Sequence, residues 1–443
     1  MLDASPTAPG SAAPVRLLVS GDLHLGRAPS RVPLGDRALS VEAVARALVD
    51  RAVEQRADAV VLTGDLADAD NRLFEAYGVL ERQLRRLSAA GVPLVFVAGN
   101  HDHDVAGRLA DALGGPEAGV HLLGRGQRWE TTELRRDGRP VLRLAGWSFA
   151  GPHCDASPLD GFPALGPSLP TLGVLHADLA PGSRYAPVTL AALRALPVDG
   201  WLLGHVHAPA LHTGDGAPVL YPGSLQPLDP GEPGVHGAWW VEVAPGAVRA
   251  RLVPLATVQY DRLDVDLGAA EGAGALRAAV LDATREHAAA ARAANPALRH
   301  LSLRLRLVGR TPAFAAAEAL AAELRAEGAF AAGGLDVSLD TVENAARPAL
   351  ALDHLAVGSG PVATLAGLAL RLDAAAAPDD LGAADRRLLA QAAEAIRGAR
   401  RAAPFEPLAA AARLAGDPEA EALGRLRHQT LRLLDAALAQ TSA

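Results

Sequence analysis

Five short apolar runs in the first half of the chain each break off into Asp, His or Asn. They are Arg16-Leu-Leu-Val-Ser20, Ala59-Val-Val-Leu-Thr63, Pro93-Leu-Val-Phe-Val97, Thr171-Leu-Gly-Val-Leu175 and Gly200-Trp-Leu-Leu203. The residues that follow are Asp22-Leu-His24, Gly64-Asp65, Gly99-Asn100-His101-Asp102, His176 and Gly204-His205-Val206-His207. Such runs read as strands covered on both faces, where successive positions are apolar instead of alternating. In an open α/β sheet, residues just beyond the carboxyl ends of the strands share one edge. The five clusters are therefore predicted to meet, although Asp22 and His207 stand far apart in the chain.

The donor types define the chemistry. Asp22, His24, Asp65, Asn100, His176, His205 and His207 offer imidazoles, carboxylates and one amide oxygen. That set suits Mn, Fe or Zn and is too rich in nitrogen for Ca or Mg alone. It exceeds what one tetrahedral ion takes but suffices for two ions if one carboxylate bridges. A pair of ions roughly 3.5–4 Å apart is the usual device for hydrolysing phosphate esters. Two divalent cations against Asp22 and Asp65 leave a net positive centre, which favours an anionic phosphodiester. A bridging hydroxide is then the nucleophile, and a nearby His protonates the leaving oxygen.

The order D-x-H, GD, GNHD, H, GHxH resembles the calcineurin-like metallophosphoesterases over roughly residues 15–256. Carried over by position, the resemblance implies that Asp22, His24, Asp65 and His207 hold one metal. Asp65 as bridge, with Asn100, His176 and His205, would hold the other. His101 would be the catalytic acid or steady the phosphate, with Asp102 orienting its ring. Mn2+ is the ion the resemblance implies, with Fe2+ and Zn2+ also compatible with the donors. Gly64-Asp65-Leu-Ala-Asp68 lacks the following Arg-Gly of Ser/Thr protein phosphatases, and Asp102 ends GNHD where they carry Glu. Tyr185-Ala-Pro187, Tyr221-Pro-Gly-Ser-Leu-Gln226, Glu232 and Gly237 look like the bacterial DNA-repair exonucleases of the SbcD/YhaO type. Pro227-Leu-Asp229 stands where such relatives often place Gly-Arg, which removes a cation from that position. Tyr185, Tyr221 and Ser224 are the candidate substrate contacts, with packing the alternative for the two tyrosines.

Composition bounds these readings. A net charge of −8 argues against charge-driven nucleic-acid binding over the whole surface, though not at a metal-loaded cleft. Every basic residue is Arg, so an arginine is not by itself a phosphate ligand. The single Cys154 excludes an intramolecular disulfide and a Cys-rich zinc site, and fits a reducing compartment. With no membrane-length apolar stretch and no signal pattern before Pro14, a cytoplasmic location and no membrane association are expected.

The expected architecture is a four-layer α/β/β/α metallophosphoesterase sandwich with a small α+β cap domain and C-terminal helices. Residues 1–14 read as a disordered tail, 15–256 as the metallophosphoesterase (nuclease) domain, 257–345 as the cap, and 346–443 as a helical region. Helices are predicted at about 38–56 and 72–89, with Asp104 capping a third, and Pro404 and Pro407 as breakers near the end. Ser302, Arg304 and Arg306 alternate with leucines on a cap strand and are expected on a solvated face, with a DNA-backbone contact the alternative. His121, His153, His212 and His236 read as surface or loop residues. Leu423, Leu426, Thr430, Leu433, Leu434 and Ala437 form a stripe on the last helix that either packs on its own domain or docks on a partner's coiled coil. The resulting reading is a two-metal DNA exonuclease or endonuclease of DNA repair, partnered by an SMC-like coiled-coil ATPase (SbcC-like) and compatible with a homodimer. The alternatives are a stand-alone phosphoesterase for cyclic nucleotides or other small phosphodiesters, and a non-catalytic scaffold.

Overall fold

The computed structural model describes residues 13–33, 36–68, 74–166, 169–375, 377–401 and 417–441. The expected tail up to residue 12, and the breakers Pro404 and Pro407, lie outside them. Two compact units divide between Arg347 and Pro348.

In the first unit, strand Val15–Ser20 pairs in parallel with Ala59–Leu62, then Leu94–Phe96, then Val120–Leu122. On its other side it pairs antiparallel with Gly237–Ala244, and that strand with Ala247–Pro254. A second sheet runs Glu130–Arg136, Arg139–Trp147, Thr171–His176, Gly200–Gly204, Val219–Tyr221, Ala210–His212. Its central strands are parallel too. Alternation along one strand separates the layers. Leu17 and Val19 face inward with Val61, Val95, Leu144, Val174 and Leu202 between the two sheets. Leu18, with Val60 and Phe96, faces helices Val41–Glu54 and Phe74–Ala89 through Val44, Leu48, Leu84 and Leu87. On the far side of the second sheet, Trp201, Leu203 and Tyr221 pack on Leu193 and Val188. The α/β/β/α order follows from this division of apolar side chains.

Residues 258–344 add a third sheet. Val258–Asp266, His300–Val308 and Leu335–Asn344 are parallel, and Ala329–Ala332, which the sequence pattern did not suggest, runs antiparallel at one edge. Helices Gly272–Ala294 and Phe314–Glu327 cover its leucine side, with Leu276, Val280, Leu320 and Leu324 on Leu305 and Leu307. The opposite side is not simply solvated. Ser302 is buried beside Tyr260 and Arg304 pairs with Asp340 at 2.9 Å, whereas Arg306 is exposed as expected, 3.4 Å from a likewise exposed Asp264. This face meets the segment that follows the first metal-ligand motif. The Tyr260 hydroxyl donates to the Ser30 carbonyl at 2.5 Å, Ser338 donates to the Arg31 carbonyl, and Arg31 pairs with Asp340. Tyr260 also accepts a main-chain bond from Gly234.

The helix after GNHD is Ala106–Ala112, and its N-cap is Val105 with no side-chain bond, so Asp104 does not cap it. The chain turns through residues 101–105 before the helix begins, which moves the cap position past Asp104. In the second unit, helices Pro361–Ala374, Ala383–Arg401 and Pro418–Thr441 close a core of Leu372, Leu389, Ile396 and Leu423. The stripe on the last helix packs within this unit through Leu423, Thr430 and Leu434, whereas Leu433 is 58% exposed.

Replacing Leu17, fully buried between the sheets, with Ala should cost about 2–5 kcal/mol by loss of burial plus a cavity. Leu211→Ala at the exposed edge of the second sheet should change stability by less than about 0.5 kcal/mol. Comparing urea midpoints of the two variants tests the layer assignment.

Candidate metal centre

The parallel strands end in register, Ser20 beside Leu62 and Leu62 beside Phe96 in one sheet, and His176 beside Gly204 in the other. Pairing continues past the first two strands. Asp22 N–H donates to Gly64 O, His24 N–H to Asp65 O and Leu25 N–H to Leu66 O, each at 3.0 Å. Four ligand candidates take positive φ in these loops: Asp22 at 48°, His24 at 46°, Asp65 at 51° and His205 at 95°. Side chains other than Gly, Asn and Asp rarely sit there, and such strain persists only where its surroundings hold it. Gly64, at φ 102°, and Gly99 leave the space that this crowding needs. A Cβ on Gly99 would strike the Asp65 carboxylate.

The seven predicted ligands converge. Asp22, His24 and His207 bring ligand atoms within 4.8 Å of one another, and so do Asp22, Asp65 and His176. His24 Nε2 lies 3.1 Å from His207 Nε2 and 3.8 Å from Asp65 Oδ2. His176 Nε2 lies 3.4 Å from Asp65 Oδ2 and 3.0 Å from Asn100 Oδ1. The His205 ring stands 5.3 Å from that of His176, and the His205 N–H donates to Asp22 at 3.1 Å. Two ring nitrogens are aimed by their opposite nitrogen. His176 Nδ1 bonds the Thr63 carbonyl at 3.0 Å and His207 Nδ1 bonds Glu232 at 2.9 Å, leaving each Nε2 for the centre.

These residues fit divalent cations. Asp22 and Asp65 are buried, with no Arg paired to either among the described residues, an arrangement costly without a compensating cation. The two facing Nε2 atoms of His24 and His207 gain most from a shared positive centre, and the buried Nδ1 of His24 has no partner.

The remaining candidates fall in different places. His101 lies at the rim with its side chain 36% exposed, and its N–H donates to Asp65 at 2.9 Å. The orienting role expected of Asp102 goes to another residue. Asp102 is buried beneath the loops, accepting the Leu66 and Gly99 N–H groups at 2.7 Å each. The carboxylate paired with the His101 ring is Asp68, 3.3 Å from Nδ1, an ion-pair approach not aligned as a hydrogen bond. Arg27 approaches the other Asp68 oxygen at 3.3 Å. Asp68 and Arg27 each stand three residues after a candidate ligand, a spacing that the sequence carries without marking it as functional. Tyr185 is half-buried with its ring 4.6 Å from that of His205 and tilted 33° to it. Tyr221 does not face the site: it is buried, and its hydroxyl donates to the Ala177 carbonyl at 2.8 Å. Ser224 is likewise withdrawn from any substrate, fully buried and bonded to Glu232. His236 is 1% exposed and not a surface residue, because it packs behind Ser224.

The model of the calcineurin-like phosphoesterase family matches residues 15–209, the segment that supplies every one of these ligands. Residues 15–209 are a calcineurin-like metallophosphoesterase domain. A second family model, the middle domain of metallophosphoesterase YhaO, matches residues 260–347, the third sheet and its helices. Among relatives, YhaO of Bacillus subtilis, an uncharacterized metallophosphoesterase, is 28% identical over 54% of this chain and 58% of its own. The DNA double-strand break repair protein Mre11 of Haloferax volcanii is 31% identical over 62% of this chain and 59% of its own. The chain thus spans less than two thirds of the length of either relative. A solved dimetal phosphatase from Danio rerio is a more distant likeness, 15% identical over 54% of this chain and 96% of that one, with a TM-score of 0.35. Among the described residues no helix is long and apolar enough to cross a membrane.

Electrostatics of the metallophosphoesterase centre follow from crowding at low dielectric. Burial raises Asp22 to about 6 against the pull of His176 and His207. Burial acts to raise Asp65 as well, but the charge and hydrogen bond of His176, with His24 and His101, hold it below the ordinary carboxylate range. Burial lowers His24 to about 4, and burial together with His176 lowers His205 to about 4. His176 goes the other way: burial disfavours its charge, yet Asp65, Asp22 and the Thr63 carbonyl push it up to about 9.

A metal ligand must present a neutral imidazole, so in the ion-free protein a divalent cation competes with the proton on His176. That proton is held below about pH 9 and lost above it. Mn2+ affinity should therefore rise from pH 7 toward 9, by up to about tenfold per pH unit for one displaced proton. Calorimetric titrations in buffers of different ionisation enthalpy should register proton release at pH 7; pH-independent binding without release contradicts this.

Proposed function

We propose that the protein is a two-metal phosphodiesterase that cuts DNA as an exonuclease or endonuclease in cytoplasmic DNA repair, with an SMC-like coiled-coil ATPase as partner. The observation that carries the hydrolytic part is the convergence of Asp22, His24 and His207 with Asp65 and His176 around buried carboxylates. Asp22, His24, Asp65 and His207 form one metal subsite, and Asp65, Asn100, His176 and His205 the other. Bound there, two divalent ions, Mn2+ in this reading, supply a nucleophilic water and charge neutralisation for a phosphodiester. The similarity to Mre11, named for DNA double-strand break repair, supports the choice of DNA over a small diester, as does the match of residues 260–347 to the YhaO middle domain.

The chain's own groups do the rest. Asn100 directs its side-chain oxygen toward His176 at 3.0 Å, its main-chain oxygen being engaged by His103. His101, at the rim, offers Nε2 to the oxygen leaving phosphorus and donates its proton there. Asp68, approached by Arg27, keeps the Nδ1 edge of the His101 ring turned inward. Tyr185 packs against His205 at a tilt of 33° and limits the freedom of that ring on the substrate side.

His101→Ala should lower turnover of a phosphodiester by about 100- to 10,000-fold while leaving two ions bound. Asp65→Asn should weaken both ions together. Metal content measured beside turnover separates the two roles; loss of ions with His101→Ala would make that residue structural. Assays with Mn2+ on double-stranded DNA, single-stranded DNA and cyclic nucleotides test the substrate, and turnover of cyclic nucleotides alone would reject DNA. Removing residues 404–443 should abolish ATPase association and spare hydrolysis of a small chromogenic diester.

A further inference from the structure

Behind His207 runs a buried chain of polar groups, of which the hydrolytic reading uses only the first link, the Glu232 contact. Glu232, 8% exposed, accepts His207 Nδ1–H on one oxygen at 2.9 Å. Its other oxygen accepts the Ser224 hydroxyl at 2.6 Å and the Leu228 N–H at 3.2 Å. His236 Nδ1 lies 2.9 Å from the Ser224 carbonyl and 3.0 Å from the Ser224 hydroxyl oxygen. The proton positions are determined by what each group can do. A carbonyl only accepts, so His236 Nδ1 carries the hydrogen. The Ser224 hydroxyl has one hydrogen, and it goes to the carboxylate. Glu232 then has only acceptor capacity left for His207, which fixes the proton on Nδ1 and the lone pair on Nε2.

The counterpart in the other subsite differs in kind. His176 Nδ1 is held by the Thr63 main-chain carbonyl, which orients the ring without a formal charge. Among the described residues, His207 has a buried carboxylate hydrogen-bonded behind its imidazole, and an anion there makes Nε2 the stronger donor to a cation.

We infer that Glu232 is a positioning residue for one of the two ions, that of the Asp22/His24/His207 subsite, and that Ser224 and His236 hold its carboxylate. The inference rests on the two-metal reading above. It places Ser224 in metal retention instead of substrate contact.

The test uses the full-length protein stripped with chelator and titrated with Mn2+ alone, with calorimetry and the electron paramagnetic resonance signal reporting each ion. Glu232→Ala should weaken one ion about 10- to 100-fold and leave the other unchanged. Glu232→Gln, which keeps an acceptor oxygen and loses the charge, should weaken the same ion less, and it decides the matter if the alanine variant does not fold. Ser224→Ala should affect that same ion by a smaller factor and leave the KM for a diester unchanged. Equal weakening of both ions, no change in either, or a Ser224→Ala effect confined to KM overturns the inference. A wild-type protein that binds no Mn2+ overturns the two-metal reading itself, a result distinct from two tight ions that ignore Glu232.

Discussion

Asp65 carries the centre. Its carboxylate stands between His24 at 3.8 Å and His176 at 3.4 Å, and accepts the His101 N–H at 2.9 Å. Three of the five loops therefore hang on one side chain, and a fourth joins through the His24–His207 approach. An anion buried this deeply is tolerable only with positive charge nearby. Without ions, the charge on His176 provides it; a bound cation would take its place. The left-handed backbone at Asp22, His24 and Asp65, strained at His24, accompanies the turning of several strand ends toward that point and is held by the ladder of main-chain bonds from Asp22 to Leu25.

Such an arrangement is legible in sequence where strands dictate it. The apolar runs end at the expected positions because a doubly covered strand leaves few other solutions, and the candidate ligands lie within four residues of the strand ends. The layers were legible for the same reason, since Leu17, Leu18 and Val19 alternate between two cores. Side-chain direction within the loops was not. Asp68 and Asp102 are both near His101 in the fold, and which one meets its ring depends on turns at positive φ that no periodicity encodes. Asp102 turned under the loops because two N–H groups, of Leu66 and Gly99, needed an acceptor there.

Buried polar residues were the other blind spot. Ser224, His236 and Ser302 look like loop or surface residues by type, yet each is within 1% of full burial. Ser224 and His236 cover each other and Glu232 across a turn of the chain, and Ser302 lies beside Tyr260 of a neighbouring strand, contacts of which local composition carries no trace. The substrate contacts expected at Tyr221 and Ser224 were lost for this reason, while Tyr185 kept a place beside His205.

Tyr260 belongs to the third sheet, yet its hydroxyl holds the segment after His24, and its carbonyl holds Gly234 in the loop that bears Glu232. Parts that are separable on paper are thus mechanically fused. Recombination that exchanges the later module for a foreign one would loosen two walls of the catalytic chamber at once, so the pair is expected to be inherited, and engineered, as a single block.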